Sequence, residues 1–504
     1  MTGKAGMLVG LLAGVLALGG SALAPAFGQS ALSEEPIPMV TREEVLKKRG
    51  ETPSDNHAPT PHEKVDRSAH AHGNGLSKEA LPLLSDEEQP KETPPIFQLG
   101  EKFLATGNLS PGIELPTGAI WQPSLWVFGD ARTSIGHYDS GVGQGRQYWS
   151  NQLNLFFNLK LTPTERLFMS ISPLSENGRH TGYVRRDGSG LQEVNGANLW
   201  IRQLFFEGEF GEIFPNLDPD DNKGLDFGFS IGRQQLLFQE GMMINARIDS
   251  IGITRDTIVI PGLTPDMRIT ALFGANNIHR DDNVLDRDTL LFGLFTETDL
   301  RSSTVNLDAA YAMSGSPDGG DGLYLGASAI QRIGHWNTAF RINGSWAPED
   351  RGAKVDNGVL LFSEISRTLP YSENLFYANA FWGIGNYSSA ARDPTTGGPL
   401  GRVGVLFASP APSAASSALS NRADEAFGGA LGYQMFFNED KTQLTLEVGG
   451  RKDTDGSNRG AVAIGGQFLH ALNNRSSIEV DAFLSEGQNQ NVGSGLRMEL
   501  RTRF

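Results

Sequence analysis

The chain has no cysteine in its 504 residues. That excludes a disulfide framework, a thiolate metal site and a cysteine nucleophile. Positive charge is also scarce: 42 Lys and Arg face 58 Asp and Glu, for a formal charge of −16. Such a chain is a poor general binder of nucleic acid or of anionic membrane surfaces, and no nucleic-acid partner is expected. Long apolar runs are missing as well. After residues 7–24 no stretch of ~18 apolar residues occurs, so the mature chain can cross a membrane only with strands. What is abundant is glycine, at 61 residues, about 12 % where ~7 % is usual. The excess fits many strands and turns better than helices.

Residues 1–28 carry one positive charge (Lys4), an apolar run and small residues around Ala26. They read as a secretory signal peptide. Residues 29–95 are rich in Pro, Glu, Lys, Ser and His and hold few large apolar side chains. This stretch cannot bury a core and reads as a flexible polar arm. One short helix is expected in it, with Thr41 as N-cap, Glu44 at the reciprocal position and Gly50 as the stop. Residues 96–118 are more apolar and punctuated by Pro and Gly, as a lead-in segment or partial plug would be.

From residue 119 to 504 the pattern has period two. NQLNLFFNLKL sets Leu153, Leu155, Phe157, Leu159 and Leu161 against Gln152, Asn154, Asn158 and Lys160. WNTAFRINGSW sets Trp336, Phe340, Ile342 and Trp346 against Asn337, Arg341, Asn343 and Ser345. The terminal SGLRMELRTRF sets Leu496, Met498, Leu500, Thr502 and Phe504 against Arg497, Glu499, Arg501 and Arg503. Alternate side chains of a strand point to opposite faces. A sandwich with a wet ionic face and a membrane barrel with a greasy outside both fit that pattern.

Link length decides between them. Counting about 18 such segments, the links after even strands are mostly short (LTPTERL, RIGHW, NEDKT, ALNNRS). Those after odd strands are longer and rich in Gly, Asp and Asn: SENGRHTGYVRRDGSGLQEVNG, NNIHRDDNVLDR, MSGSPDGGDG, APEDRGAKVD and residues 388–426. Outer-membrane barrels sort their loops this way. FGEIFPNLDPDDNKGLD breaks the rule, being long where a short link is due. Trp336 and Trp346 share one face, and at ~3.3 Å per residue with a tilt near 40° they lie about 25 Å apart along the axis. That is the height of a lipid-facing band between aromatic girdles. The expected fold is all-β: a transmembrane antiparallel barrel of about 18 strands with a mobile N-terminal arm.

A last strand ending in Phe504, with apolar residues at every second place before it, resembles the C-terminal signature of bacterial outer-membrane proteins. The resemblance implies that Phe504 is read by the barrel-insertion machinery, and that lipid and lipopolysaccharide surround the barrel in the bacterial outer membrane. GRQQLLFQEG at 232–241, leading into INARIDSIGITRD, is similar to the alginate-export type of outer-membrane channel, where a Gly-Arg-Gln strand precedes a conducting-face loop. Barrel size and resemblance together imply a porin passing small hydrophilic or carbohydrate solutes, with no enzymatic activity and no cofactor. An acidic-polysaccharide export channel and a plugged barrel serving as anchor or adhesin are the alternatives.

By parity the inward charges include Arg132, Lys160, Arg341, Arg451, Glu479, Asp481, Arg497, Glu499, Arg501 and Arg503, with Asp130, Asp308, Glu364 and Glu447. They are the candidate pore-lining residues, either pairing across strands to keep the interior soluble or selecting solutes by charge. Other motifs are weaker. GFSIG at 228–232 matches the nucleophile elbow around Ser230, but lies inside an alternating strand and lacks the strand-to-helix turn that device needs. His57, His62, His70 and His72 fall in the polar arm without a paired-His helix. DPDDNKGLD (Asp218, Asp220, Asp221, Asn222) and KDTDGSNRG (Asp453, Asp455, Asn458) miss the spacing of a calcium loop. No metal site is expected.

Overall fold

The computed structural model describes residues 95–100, 111–143, 145–217, 219, 224–317, 319–348, 354–457 and 459–504. The signal peptide expected at 1–28, the helix at 41–50 and the histidines of the arm lie outside the described residues. So do the rest of the arm before residue 95, residues 101–110 of the lead-in, Asp218, Asp220, Asp221, Asn222 and Asn458.

Eighteen antiparallel strands close into a barrel. They are β1 (Ser124–Asp139), β2 (Arg146–Lys160), β3 (Arg166–Ile171, resuming at Arg179–Arg186) and β4 (Leu191–Val194, resuming at Ile201–Glu209). Then come β5 (Gly228–Phe238), β6 (Ile244–Arg255), β7 (Asp266–Ala275), β8 (Thr289–Leu300), β9 (Ser303–Ser314) and β10 (Gly322–Ile333). The rest are β11 (Trp336–Trp346), β12 (Gly358–Thr368), β13 (Leu375–Asn386), β14 (Asp424–Phe437), β15 (Thr442–Asp453), β16 (Gly460–Ala471), β17 (Ser476–Gly487) and β18 (Gly493–Arg503). Each pairs with its sequence neighbour, and β18 returns to β1 in the register Ser494↔Asp139 to Arg503↔Asp130. Closure leaves no open sheet edge around the ring, which a sheet in lipid requires.

The seam extends one residue past β18. Phe504 N–H donates to Gly129 O at 3.0 Å, and Gly129 N–H donates to Phe504 O at 2.7 Å. Below that point the edge of β1 is covered by the short strand Phe97–Leu99, paired with Leu125–Val127. A small hairpin (Ile113–Glu114 with Ile120–Trp121) follows, and Asn216 N–H of the β4–β5 link donates to Thr117 O at 3.3 Å. The described lead-in thus lies at the short-link rim.

Side-chain parity is as the alternation requires. On β18 Leu496 is 55 % exposed on the outside, and neighbouring Arg497 only 6 %. Phe292, Leu294, Phe340, Phe427, Leu431 and Val448 continue the exposed apolar belt. Tight links of two residues join β8 to β9 and β10 to β11, and the long exception between β4 and β5 carries a helical turn (Phe210–Ile213).

Two expectations need correction. Residues 175–196 are not one long loop: Arg179–Arg186 and Leu191–Val194 pair with each other and extend the wall, since GYVRR and LQEV alternate around a DGSG turn. Nor is the interior polar throughout. From β7 to β14 inward positions include Leu272, Leu291, Phe295, Ala310, Tyr324, Leu360, Phe362 and Phe381, all buried. They are covered by chain segments that enter the barrel, so both faces of these strands are apolar.

Candidate functional site

Three segments fold into the lumen. The first is the upper half of the β5–β6 hairpin, whose tip is residues 239–243. Phe238 stacks on Phe295 of β8, and Gln239 Nε2 donates to Asp308 Oδ2 of β9 at 2.8 Å. The second is 276–288, where Asp281 accepts from Arg422 and from Ser389 N–H. The third and longest is 387–423, between β13 and β14. It runs parallel to the start of β6 (Ile244↔Ala391, Asn245↔Arg392) before crossing to the far wall.

Arg392 ties the first and third together. It is fully buried and donates to Gly241 O (2.7 Å), Ser389 Oγ (3.1 Å), Thr396 O (3.4 Å), Gly397 O (2.8 Å) and Gly398 O (2.5 Å). The guanidinium has carbonyl partners instead of a carboxylate, and burial pushes its pKa down to about 10. Five donors in a fixed fork suit it to gathering loop carbonyls. Burial also raises the Tyr387 phenol, whose hydroxyl donates to Met242 O at 3.0 Å.

Glu447 of β15 clips the middle of the crossing loop. Its buried carboxylate accepts Val405 N–H at 3.0 Å, Leu406 N–H at 2.8 Å and the Tyr377 hydroxyl. Gly404 makes the approach possible: its φ is +53°, and a Cβ there would fall 2.3 Å from the Glu447 carboxylate. Around the clip Leu400, Leu406, Phe407 and Leu419 pack on Leu360, Phe381 and Ala430.

The loop then lies across β18, β1 and β2 by its carbonyls. Arg132 Nη2 and Arg497 Nη2 both donate to Ala411 O, at 2.5 and 3.2 Å. Ser134 Oγ donates to Pro412 O (2.6 Å), and Arg146 Nη1 to Ala414 O (2.9 Å). Beneath it is a network of charges from three adjacent strands. Arg497 bridges Glu479 at 2.9 Å, Asp481 and Glu499; Arg132 holds Glu499 at 2.6 Å. Register explains the grouping, because Asp481 faces Arg497 and Glu479 faces Glu499 across β17 and β18. Two arginines against three carboxylates leave this wall one charge negative.

The other expected residues are dispersed. Arg501 lies 3.3 Å from Asp130, Arg503 is exposed at the rim, and Lys160 sits 5.8 Å over the Trp126 ring. Arg451 donates to Ser420 O and Arg422 O, holding the return of the crossing loop. Arg341 is inward by parity but 5 % exposed, covered by the hairpin tip, with Glu240 at 3.9 Å and the Phe362 ring at 5.8 Å. Sequence reasoning missed Arg247, which grips Asp393 of the loop at 2.6 Å, and Arg202 and His180, where β3 and β4 are interrupted. His180 is within electrostatic reach of Arg202, Arg132 and Glu499. Arg146 and Tyr148 could have been found by extending the β2 alternation. Nothing in the sequence marked the direction of the loops.

Ser230 is inside β5, eight residues before the strand ends at Phe238, and so is not at a strand-to-helix turn. Asp453 and Asp455 pair with Arg459, as a solvated turn does. Among the described residues no group of three or more His, Asp or Glu is arranged to hold a metal.

No protein-family model matches the chain, and no curated protein does. Its fold is similar to the solved structure of OccAB2 from Acinetobacter baumannii, at 10 % identity and a TM-score of 0.50, over 75 % of this chain and 98 % of that one. It is similar to a BenF-like porin from Pseudomonas fluorescens Pf-5, at 9 % identity and a TM-score of 0.50, over the same two shares. The 18-strand antiparallel barrel is therefore a fold it shares with these structures, and the likeness is not specific to the alginate-export type.

Proposed function

We propose that this chain is an outer-membrane channel that passes small hydrophilic solutes by passive or facilitated diffusion. In this reading residues 1–28 direct export, residues 29–95 form a periplasmic arm, and Phe504 is the assembly signal. The observation that carries it is a closed 18-strand barrel with an apolar belt outside and, inside, a loop that crosses to a wall of paired ionic groups. A barrel of this strand number encloses more space than its own wall side chains fill, and the crossing loop narrows it. Arg132, Arg497, Glu479, Asp481 and Glu499 would line the narrowed part and set a local field.

The acidic-polysaccharide reading gains little support, since the wall arginines are already held by carboxylates. A plugged anchor has one observation in its favour: the crossing loop touches both walls. Single-channel recording of the refolded protein separates the two. Discrete conductance steps at neutral pH are expected; an assembled barrel that passes no current would establish the plug.

A further inference from the structure

Between the crossing loop and the ionic wall lies a cavity of about 220 Å³. By volume it holds roughly seven waters, room for one sugar-sized ring and not for a chain of them. Glu479 and Asp481 present carboxylates to it, with side chains 24 % and 20 % exposed, while Arg497 is buried beneath them. Gln467 Nε2 donates to Asp481 Oδ1 at 2.9 Å and Glu479 Oε1 at 3.4 Å, which leaves its carbonyl as an acceptor. Arg497 Nε is buried without a hydrogen-bond partner. The Tyr148 hydroxyl accepts from Ser413 Oγ at 3.0 Å and keeps its own proton to donate. Phe483 supplies an apolar side. It lies over Gly495, where a Cβ would fall 2.1 Å from the ring.

We propose that this cavity is a subsite for a neutral polyhydroxylated solute, a monosaccharide or a polyol of that size; the inference rests on the channel reading above. A hydroxyl both donates and accepts. It therefore matches a lining that offers carboxylate acceptors, an amide carbonyl and a phenol proton together. An anion meets a wall that is one charge negative. An ammonium group would have to compete with Arg497 for the same two carboxylates, whereas a hydroxyl needs only the lone pairs that Arg497 leaves open. The aromatic and aliphatic side takes the C–H face of a ring, in the usual mixture of apolar lining and a few placed polar groups.

The experiment is calorimetric titration of the folded full-length chain in detergent with glucose, glucosamine and glucuronate, paired with bilayer recording. Glucose is expected to bind saturably and at least several-fold more tightly than either charged sugar. Gln467→Ala and Phe483→Ala should each weaken it about tenfold, which is ~1.4 kcal/mol. Should Phe483→Ala fail to assemble, Gln467→Ala decides alone, because it removes an amide without opening the apolar side. Absence of saturable glucose binding, tighter binding of either charged sugar, or unchanged affinity in Gln467→Ala overturns the subsite. An assembled barrel that binds glucose but never conducts keeps the subsite and removes the channel. One that conducts without binding glucose does the reverse.

Discussion

Strands β7–β14 and the trio β17, β18 and β1 obey one rule on the outside and opposite rules within. Both present an alternating apolar row on the outside, with Phe292 and Phe340 on the first group and Leu496 and Met498 on the second. Inside, the first group carries Leu291, Phe295, Leu360 and Phe381, and the trio carries Arg497, Glu479, Asp481, Glu499 and Arg132. The apolar interior needs a cover, because each exposed side chain would cost about 1.5–3 kcal/mol. The ionic interior satisfies itself by cross-strand pairing. The crossing loop is therefore packed into a core on one side and held mainly by hydrogen bonds on the other. It should leave the ionic wall first and stay hinged on the apolar one.

The largest effect expected is at the seam, which the ionic half shares with neither cover nor core. Deleting Phe504 removes the backbone pair with Gly129 that ends the seam, and Phe504→Asp places a charge on the outward face. Assembled, heat-modifiable barrel should be nearly lost while export to the periplasm continues. Normal assembly would show that closure depends on the interior after all.

Next comes removal of the cover. Replacing residues 394–420 by a short Gly-Ser link should raise single-channel conductance several-fold and lower thermal stability, since Leu360 and Phe381 become wet. An unchanged conductance would mean that the loop does not narrow the path. Finer substitutions compare the two sides of the loop. Phe407→Ala, at a fully buried ring in edge contact with Phe381, should weaken docking by about 3–5 kcal/mol. Ser413→Ala, on the ionic side, should cost about 1 kcal/mol. Protease nicking of the loop would read both, and equal nicking rates would erase the distinction between the halves.

Charge selectivity sharpens the comparison again, with a smaller effect. Arg497→Gln leaves three carboxylates on the ionic wall with one arginine, so the reversal potential should move towards cation preference at low salt. The shift should shrink at 1 M salt, where the Debye length is ~3 Å. Arg341→Gln, beneath the hairpin tip, should leave ion preference where it was. A shift of equal size in both variants would put Arg341 on the solute path.

Sequence periodicity showed the barrel, its strand number and its outward face, because lipid imposes one rule on every strand. It also set the charges of the last strand against Glu479 and Asp481 of its neighbour, since a link of only five residues (488–492) leaves the two strands side by side. It did not show that GVLLFSEIS or LFYANAFWGIG is apolar on both faces for a reason. That reason is the long link that follows them, residues 387–423, which folds inward. Loop direction is fixed by single contacts such as Glu447 with Val405 N–H and Arg392 with Gly398 O. Neither leaves a periodic trace. Arg341 shows the same limit: parity gives the side of the sheet, and only tertiary packing shows what covers it.

The smallest effect concerns the hairpin tip over Arg341, where the two kinds of interior meet. Burial raises the Glu240 carboxyl above its ordinary range, while Arg341 and Arg402 pull it the other way. A carboxyl whose pKa is higher in the docked tip than in the released one binds its proton more tightly when docked. Docking should therefore strengthen as pH falls through the docked value and level off once the released carboxyl is protonated too. At neutral pH the ionised group is a mild liability, offset in part by Arg341 at 3.9 Å. With the side chain about a third exposed, water screens much of this. The change in docked-to-released ratio should stay below roughly tenfold per pH unit. Closing events in single-channel records between pH 7 and pH 4 give the measurement, with longer dwell in the narrowed state expected in acid. Glu240→Gln should flatten that dependence and hold the tip as acid does. A tip that loosens in acid would mean that the ion pair with Arg341 outweighs burial, and the ionic rule would then extend into the apolar half.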